Sequence, residues 1–190
     1  AILMGDVNPS GRLPFTFPAR LEDVPAHSVG EYFADRSKKV VDMKYNEGIF
    51  VGYRWRDKQK KVKPLFPFGH GLSYTTFVYI ADKKIISVND EINFTVTVKN
   101  TGEREGHEVV QLYISDKKSS LPRPVKELKG FKKVKLAPGE EKDVTFTIDK
   151  EALSYFDDIQ HTWVAEPGKF EAIIAASAAD IKGVVPFELK

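Results

Sequence analysis

The stretch Ile92–Val98 reads INFTVTV and decides the fold of the second half of the chain. Its apolar residues stand at every second position, with Asn or Thr between them. Because successive side chains of a strand point to opposite faces, this alternation predicts a strand with one buried and one solvent-facing side. Such a strand needs an apolar surface opposite its buried side, so we expect a second sheet packed against it.

Similar strand patterns recur along the rest of this half. They lie at residues 110–114, 131–136, 144–148, 163–164 and 170–176. Turn-forming residues separate these segments, at Asn89-Asp90, Asn100-Thr101-Gly102, Ala137–Glu140 and Glu166–Gly168. About seven short strands of this kind are typical of an immunoglobulin-like sandwich. We therefore predict a mainly β fold, with an antiparallel β-sandwich over residues 76–190.

Residues 1–75 are composed differently and hold most of the Pro and Gly residues of the chain. This density of turn residues predicts an irregular segment without long helices. We expect two extended pieces, Arg12–Pro18 and Gly48–Asp57, the second with one face formed by Ile49, Val51, Tyr53 and Trp55. Two short strands cannot bury their own apolar faces. We therefore expect this part to pack on upstream sequence, with Ala1–Met4 continuing a longer protein.

Composition narrows the class of protein. Of the 190 residues, 42% are hydrophobic and 29% charged, which is ordinary for a globular protein. The net charge of +2 argues against a dedicated nucleic-acid binder, and no apolar run approaches the ~20 residues of a membrane span. The absence of cysteine excludes disulfides and thiolate metal sites. We predict no nucleic-acid or membrane partner and no cofactor, whereas the cellular compartment stays open.

Candidate catalytic groups are sparse. The four histidines lie far apart, at His27, His70, His107 and His161, and no pair has metal-ligand spacing. Two adjacent carboxylate pairs, Asp157-Asp158 and Glu140-Glu141, are expected to face solvent, because neighbours on a strand point apart and the second pair sits in a Pro-Gly turn. Glycosidases, by contrast, place two carboxyl groups on either side of one bond.

The most basic run is Arg54–Lys63. It is expected to form a solvated hairpin tip between two extended segments. Because the histidines, the paired carboxylates and this basic run all lack the arrangement of a site, we predict no catalytic, cofactor-binding or metal-binding residue in this chain.

Seven stretches in order carry a family resemblance. They are Asn8–Pro18 (NPSGRLPFTFP), Tyr45–Asp57 (YNEGIFVGYRWRD), Pro64–Phe77 (PLFPFGHGLSYTTF), Val98–Asp116 (VKNTGEREGHEVVQLYISD), Arg123–Phe131 (RPVKELKGF), Leu136–Phe146 (LAPGEEKDVTF) and Trp163–Phe170 (WVAEPGKF). Together they resemble the C-terminal region of family 3 glycoside hydrolases, the β-glucosidase and β-xylosidase group, over nearly the whole chain.

This resemblance implies a parent enzyme with a barrel domain, an α/β sandwich domain and a fibronectin type III-like domain. Residues 1–75 would be the end of the α/β sandwich domain and its connector, and residues 76–190 the fibronectin type III-like domain. The family's nucleophile Asp and acid/base Glu lie upstream, so no catalytic residue is carried over. Glu47 matches a signature position in YNEGIF, where we expect it to hydrogen-bond a turn or pair with an Arg.

The resemblance predicts an accessory role: this part would support the catalytic domains of a retaining β-glycosidase that hydrolyses terminal β-linked sugars. The alternatives are a carbohydrate-binding sandwich and a non-catalytic scaffold or adhesion domain. The first alternative would use exposed aromatic side chains, for which the candidates are Tyr113, Tyr155, Phe156 and Trp163. A periplasmic or secreted location and a cytoplasmic one are both compatible with the sequence.

Overall fold

The computed structural model describes residues 1–29, 37, 44–59, 63–88 and 91–190, with the backbone alone for residues 81–88. The N-terminal part holds a 3-10 helix, Leu21–Asp23, and two short helices, α1 (Pro25–Ser28) and α2 (Tyr53–Lys58). The remaining elements are β1 (Phe77–Val88), β2 (Glu91–Asn100), β3 (Gly106–Asp116), β4 (Glu127–Leu136), β5 (Glu141–Ile148), α3 (Lys150–Leu153), β6 (Tyr155–Asp157), β7 (Thr162–Val164), β8 (Gly168–Ala175) and β9 (Ile181–Leu189). No helix of the described ranges is long and apolar enough to cross a membrane.

Two antiparallel sheets form a sandwich. Their strand orders are β1-β2-β5 and β4-β3-β8-β9, and β6 and β7 form a separate two-stranded hairpin. The prediction of a β-sandwich that follows an irregular segment is therefore confirmed. The predicted turn at Asn89-Asp90 lies outside the described residues.

The core lies between the two sheets. Along β2 every second side chain is buried, as the INFTVTV pattern predicts. Val96 and Val98 are fully enclosed, and so are Val110 and Leu112 from the facing sheet. Full burial of one such aliphatic side chain contributes about 1.5–3 kcal/mol. Apolar burial between the sheets is thus the main source of stability.

Pairs of polar side chains on the outer face of the first sheet fix the strand register. Thr95 and Thr145 share a hydrogen bond of 2.8 Å, and Thr97 donates to Asp143 at 2.6 Å. A slip of one residue would bring these side chains into the core and expose the apolar set. The cross-strand pairs therefore specify the alignment of β2 with β5.

The expected strand over Gly48–Asp57 is wrong in its second half. Gly52 has φ +57° and ψ −128°, and helix α2 begins directly after it. The helix buries Trp55, whereas Ile49 and Val51 are half exposed. Apolar residues at every second position predict a strand, but a backbone reversal at Gly52 places them on different elements. The basic run therefore starts in a helix and not in a hairpin tip, and residues 60–62 lie outside the described part.

The piece over Arg12–Pro18 is extended, and it lies antiparallel to residues 65–70. Leu13 N donates to His70 O at 2.9 Å, and Phe17 N donates to Phe66 O at 2.8 Å. Pro14 and Pro18 have no N–H to donate, so only an isolated bridge forms between Phe17 and Phe66. This ribbon lies across the outer face of the second sheet.

Candidate functional site: the joint between the two parts

A carboxylate cluster holds the ribbon on the sandwich. Arg12 Nη2 donates to Glu108 Oε2 at 2.6 Å, and Tyr79 Oη donates to Glu108 Oε1 at 2.7 Å. All three side chains are largely buried, and burial raises the pKa of Glu108 and of Tyr79. Both carboxylate oxygens have a donor, so the buried charge is compensated. We call the interface between residues 1–75 and the sandwich the joint.

A second, smaller apolar core lies in the joint. Tyr53 of α2 and Phe68 pack against Tyr113 and Ile173, on the face of the second sheet that points away from the main core. The rings of Tyr53 and Tyr113 meet edge to face with centroids 5.7 Å apart. Leu128 N donates to Tyr53 Oη at 2.9 Å. Tyr53 and Phe68 therefore cover the part of this outer face around Tyr113 and Ile173.

Two further contacts tie helix α2 to β4 and the chain before it. Lys126 Nζ donates to Asp57 Oδ2 at 2.5 Å, and Arg54 Nη2 lies 3.4 Å from Glu127 Oε1. Lys126 is buried, and burial raises the pKa of Asp57, which the Lys126 ammonium opposes. Both ion pairs join α2 to the sandwich, so they favour its docked orientation.

Two side-chain amides, Asn100 and Asn8, fix the connector between the two parts. Asn100 is completely buried, donates to Leu136 O at 3.1 Å and accepts from Thr75 Oγ1 at 2.6 Å. Asn8 Oδ1 accepts from Tyr74 N at 2.8 Å, while its Nδ2 donates to Glu105 O at 2.9 Å. The sequence predicts only a turn at Asn100. Its role in the connector depends on the contact with Thr75, which is 25 positions away in the sequence. Local sequence patterns do not reveal a contact of this range.

The N-terminal part also presents an apolar surface to solvent. Leu3, Met4, Tyr45 and Leu72 are each at least 73% exposed. Further half-exposed apolar side chains of the same part are Ile2, Val7, Phe15, Leu21, Ile49, Val51 and Leu65. A soluble protein rarely leaves so many large apolar side chains uncovered in one part, so this is a candidate interaction surface.

The two adjacent carboxylate pairs that were expected at the surface differ in their exposure. Glu141 is exposed, and Glu140 accepts from Ala137 N at 2.7 Å within its turn. Asp157, however, is buried, which corrects the expectation that both adjacent pairs face solvent. Its carboxylate accepts from the backbone N–H groups of Gln160 and Ile159, both at 2.9 Å. These hydrogen bonds, that of Gln160 foremost, lower the pKa of Asp157.

The four aromatic candidates for sugar binding are not equivalent. Tyr113 is fully buried in the joint, so its selection as a candidate binding platform is wrong. Tyr155 donates to Glu166 Oε1 at 2.9 Å. Phe156 and Trp163 are exposed and face each other across the β6–β7 hairpin. Of the four, only these last two are exposed.

The remaining candidate groups stay separate from one another. His70 stacks on Phe66 at 5.1 Å, and His161 occupies the hairpin turn with φ +52°. Within the described ranges, no group of three or more His, Asp and Glu residues could hold a metal ion. Glu47 lies in a turn closed by Phe50 N donating to Glu47 O at 3.1 Å. Its Oε2 is enclosed without a hydrogen-bond donor among the described residues.

The fold and joint define a fibronectin type III-like sandwich on which an N-terminal segment is docked. A family model for the fibronectin type III-like domain matches residues 108–178, and the model for the glycosyl hydrolase family 3 C-terminal domain matches residues 1–53. The chain therefore belongs to glycosyl hydrolase family 3 and corresponds to its C-terminal region.

Named relatives agree with this family. β-Glucosidase BoGH3A of Bacteroides ovatus is 55% identical over 98% of this chain and 25% of its own length. Thermostable β-glucosidase B of Acetivibrio thermocellus is 51% identical over 95% of this chain and 23% of its own length. The chain thus spans about a quarter of the length of these curated relatives.

Solved structures share the fold of the whole chain. The β-glucosidase from Kluyveromyces marxianus, determined in complex with glucose, matches 100% of this chain and 22% of its own, with a TM-score of 0.89 and 40% identity. β-Glucosidase 3B from Thermotoga neapolitana matches 98% of this chain and 25% of its own, with a TM-score of 0.87 and 36% identity. Both matches extend over the N-terminal part as well as the sandwich.

Proposed function

We propose that this chain is the C-terminal accessory part of a retaining β-glucosidase that releases terminal β-linked glucosyl units. In this proposal, residues 1–75 end an α/β sandwich domain and form its connector, and residues 76–190 form a fibronectin type III-like domain. The catalytic nucleophile and acid/base belong to upstream barrel and α/β sandwich domains. The chain itself supplies no catalytic, cofactor or metal residue.

The observation that carries this proposal is the combination of two features in residues 1–75. Part of this segment is fixed to the sandwich by buried charged and aromatic groups, including Glu108 and Tyr113. The same segment also exposes large apolar residues such as Leu3 and Leu72. A segment that is docked on the sandwich and still exposes apolar side chains is suited to connect the sandwich to a further domain.

A free-standing scaffold or adhesion domain is the weaker alternative. Such a domain would gain nothing from a docked segment whose outer side is apolar, because that surface would promote aggregation. The buried ion pair of Arg12 with Glu108 also favours a fixed orientation over a flexible link. Both features fit a rigid connection inside one enzyme.

A hybrid enzyme tests the proposal. The matching C-terminal quarter of the Bacteroides ovatus β-glucosidase is replaced by this chain, and hydrolysis of an aryl β-glucoside is measured. We expect an active hybrid, and we expect loss of activity when residues 76–190 are deleted from it. An active hybrid without residues 76–190 would contradict the supporting role of the sandwich.

The same aryl β-glucoside assay on the isolated chain is the control that shows whether this chain contains catalytic groups. At high protein concentration we expect no release of the aryl group above the rate in buffer. Turnover that is lost in Glu47→Gln would place catalytic chemistry in this chain and overturn the proposal. Turnover that Glu47→Gln leaves unchanged would overturn it as well, by pointing to another group of the chain.

A further inference from the structure

A cleft of about 710 Å³ opens between the two parts of the chain, on the side of the β6–β7 hairpin. Phe50 and Arg54 form one wall, and Phe156 and Trp163 of the hairpin belong to the other. Its size falls in the range of small-molecule sites, which is about 300–1,000 Å³. None of the supporting contacts of the joint uses the two hairpin rings, so their exposure needs a separate explanation.

The hairpin holds its two aromatic rings toward solvent. Phe156 and Trp163 are 47% and 63% exposed, and their ring centroids lie 5.7 Å apart at an interplanar angle of 70°. They are direct partners in the hairpin ladder and therefore share one face of it. An aromatic face is electron-rich and attracts the polarised C–H groups on the flat side of a sugar ring.

The polar wall of the cleft is rigid. Arg123 Nη2 donates to Glu127 Oε2 at 2.8 Å, and Arg123 Nη1 donates to Leu153 O at 2.9 Å. The guanidinium is almost completely buried and lies 5.7 Å from the ring of Tyr155. Planar guanidinium and carboxylate groups that are held in place this way are suited to bind neighbouring hydroxyl groups in pairs.

The charges of the cleft favour a neutral ligand. The cations Arg54 and Arg123 both contact Glu127, and Arg123 also contacts Asp116 at 3.2 Å. Lys129 faces the same carboxylate at 3.9 Å, and burial lowers its pKa. Cations and carboxylates thus largely neutralise one another, so neither a phosphate nor a metal cation would find an excess of opposite charge.

We infer that this cleft binds a β-linked gluco-oligosaccharide, with a sugar ring on Trp163 and its hydroxyl groups toward Arg54 and Glu127. The choice of ligand rests on the proposed function, whereas the position of the site rests on the aromatic pair and the polar wall. A bound oligosaccharide would contact both parts of the chain and would hold polymeric substrate close to the enzyme. This binding is separate from catalysis.

Titration of the isolated chain tests the inference. Cellotetraose and laminaritetraose are added at millimolar concentration, with maltotetraose as the α-linked control, and binding is followed by calorimetry and by tryptophan fluorescence. We expect at least one β-linked tetraose to bind more tightly than maltotetraose. Trp163→Ala should weaken that binding about tenfold or more, as expected for the loss of one stacking ring.

Matched variants separate the site from general surface effects. Phe156→Ala should weaken binding, whereas Phe131→Ala, which removes a 68% exposed ring on β4, should not change it. Absence of binding by both β-linked tetraoses, or equal binding by wild type and Trp163→Ala, would overturn the site. Self-association that depends on Trp163, without sugar binding, would assign the rings to a protein contact instead.

The two proposals fail in distinguishable ways. An inactive hybrid enzyme would contradict the supporting role but would leave sugar binding by the isolated chain unaffected. Loss of the binding site would leave the activity of the hybrid on a small aryl glucoside unchanged. The tetraose titration and the aryl glucoside assay therefore give independent answers.

Discussion

Arg12 and Glu108 stand 96 residues apart in the sequence, and their side chains meet at 2.6 Å in the joint. Their side chains are 11% and 5% exposed, so the pair is shielded from water. The carboxylate of Glu108 is stabilised there only by Arg12 and Tyr79 as direct hydrogen-bond donors among the described residues. This dependence makes the pair the most direct probe of the joint.

Arg12→Ala should destabilise the chain by about 3 kcal/mol, because it leaves a buried carboxylate without its cation. The measurement is the free energy of unfolding in urea. Lys99→Ala, which breaks an exposed ion pair of 3.6 Å with Glu141, serves as the control and should cost less than about 1 kcal/mol. Similar losses for the two variants would show that the joint pair contributes no more than a surface pair.

A glycine in the joint is required for a close approach as well as for its backbone angle. Gly69 and Gly139 both have positive φ, at +80° and +75°. A Cβ at Gly69 would overlap the side-chain amide of Gln111, whereas a Cβ at Gly139 would meet open space. Both Ala variants should lose about 1–2 kcal/mol from the backbone, and Gly69→Ala should lose about 1–3 kcal/mol more.

Thermal unfolding of the two glycine variants checks this difference. A lower Tm for Gly69→Ala than for Gly139→Ala is expected, since only the first displaces Gln111. Equal Tm values would mean that the ribbon moves away from the sandwich without loss, and the joint would then be less rigid than described.

Asn100→Ala should lower the free energy of unfolding more than Asn93→Ala, the matched substitution on the surface. Asn100 is fully buried and makes four side-chain hydrogen bonds, with Thr75, Gly102, Arg104 and Leu136. Removal of the amide leaves these groups without a partner, which should cost about 2–3 kcal/mol or more. Asn93→Ala, which removes one hydrogen bond with Thr147 on the outer face, should cost less than about 1 kcal/mol.

The stability of the hairpin turn should depend on pH. Hydrogen bonds from Gln160 and Ile159 lower the pKa of Asp157 below its usual value of 3.8. A lowered carboxyl pKa gives a stabilisation that is complete above the usual value and is lost as the pH falls through the lowered one. Amide exchange by NMR should therefore show protection of Ile159 and Gln160 at pH 6 that is retained at pH 3.8 and decreases as the pH falls further.

Asp157→Asn is the matched variant for this effect, because the amide oxygen still accepts hydrogen bonds but does not titrate in this range. Its protection factors at Ile159 and Gln160 should change little over the same pH range. An equal loss of protection in the variant would assign the acid sensitivity to another group near the hairpin, such as Glu166.

The sequence predicted the sandwich well because its signal is local. The alternation in INFTVTV and the turns at Asn100 and Pro138 report directly on burial and on chain reversal. Helix α2 was missed because Gly52 reverses the chain in the middle of an apparently alternating run. The burial of Tyr113 was missed because the outer face of its strand is covered by α2 and Phe68, which are distant in sequence.

The joint has a consequence for synthesis of the protein on the ribosome. Tyr53 and Phe68 are made early, but the surface that receives them includes Ile173 and Ala178. Docking of residues 1–75 therefore has to wait until almost the whole chain has emerged, and contacts of such long range slow folding. Until then the apolar residues of this segment that pack in the joint stay uncovered, so the nascent chain is open to aggregation for most of its synthesis.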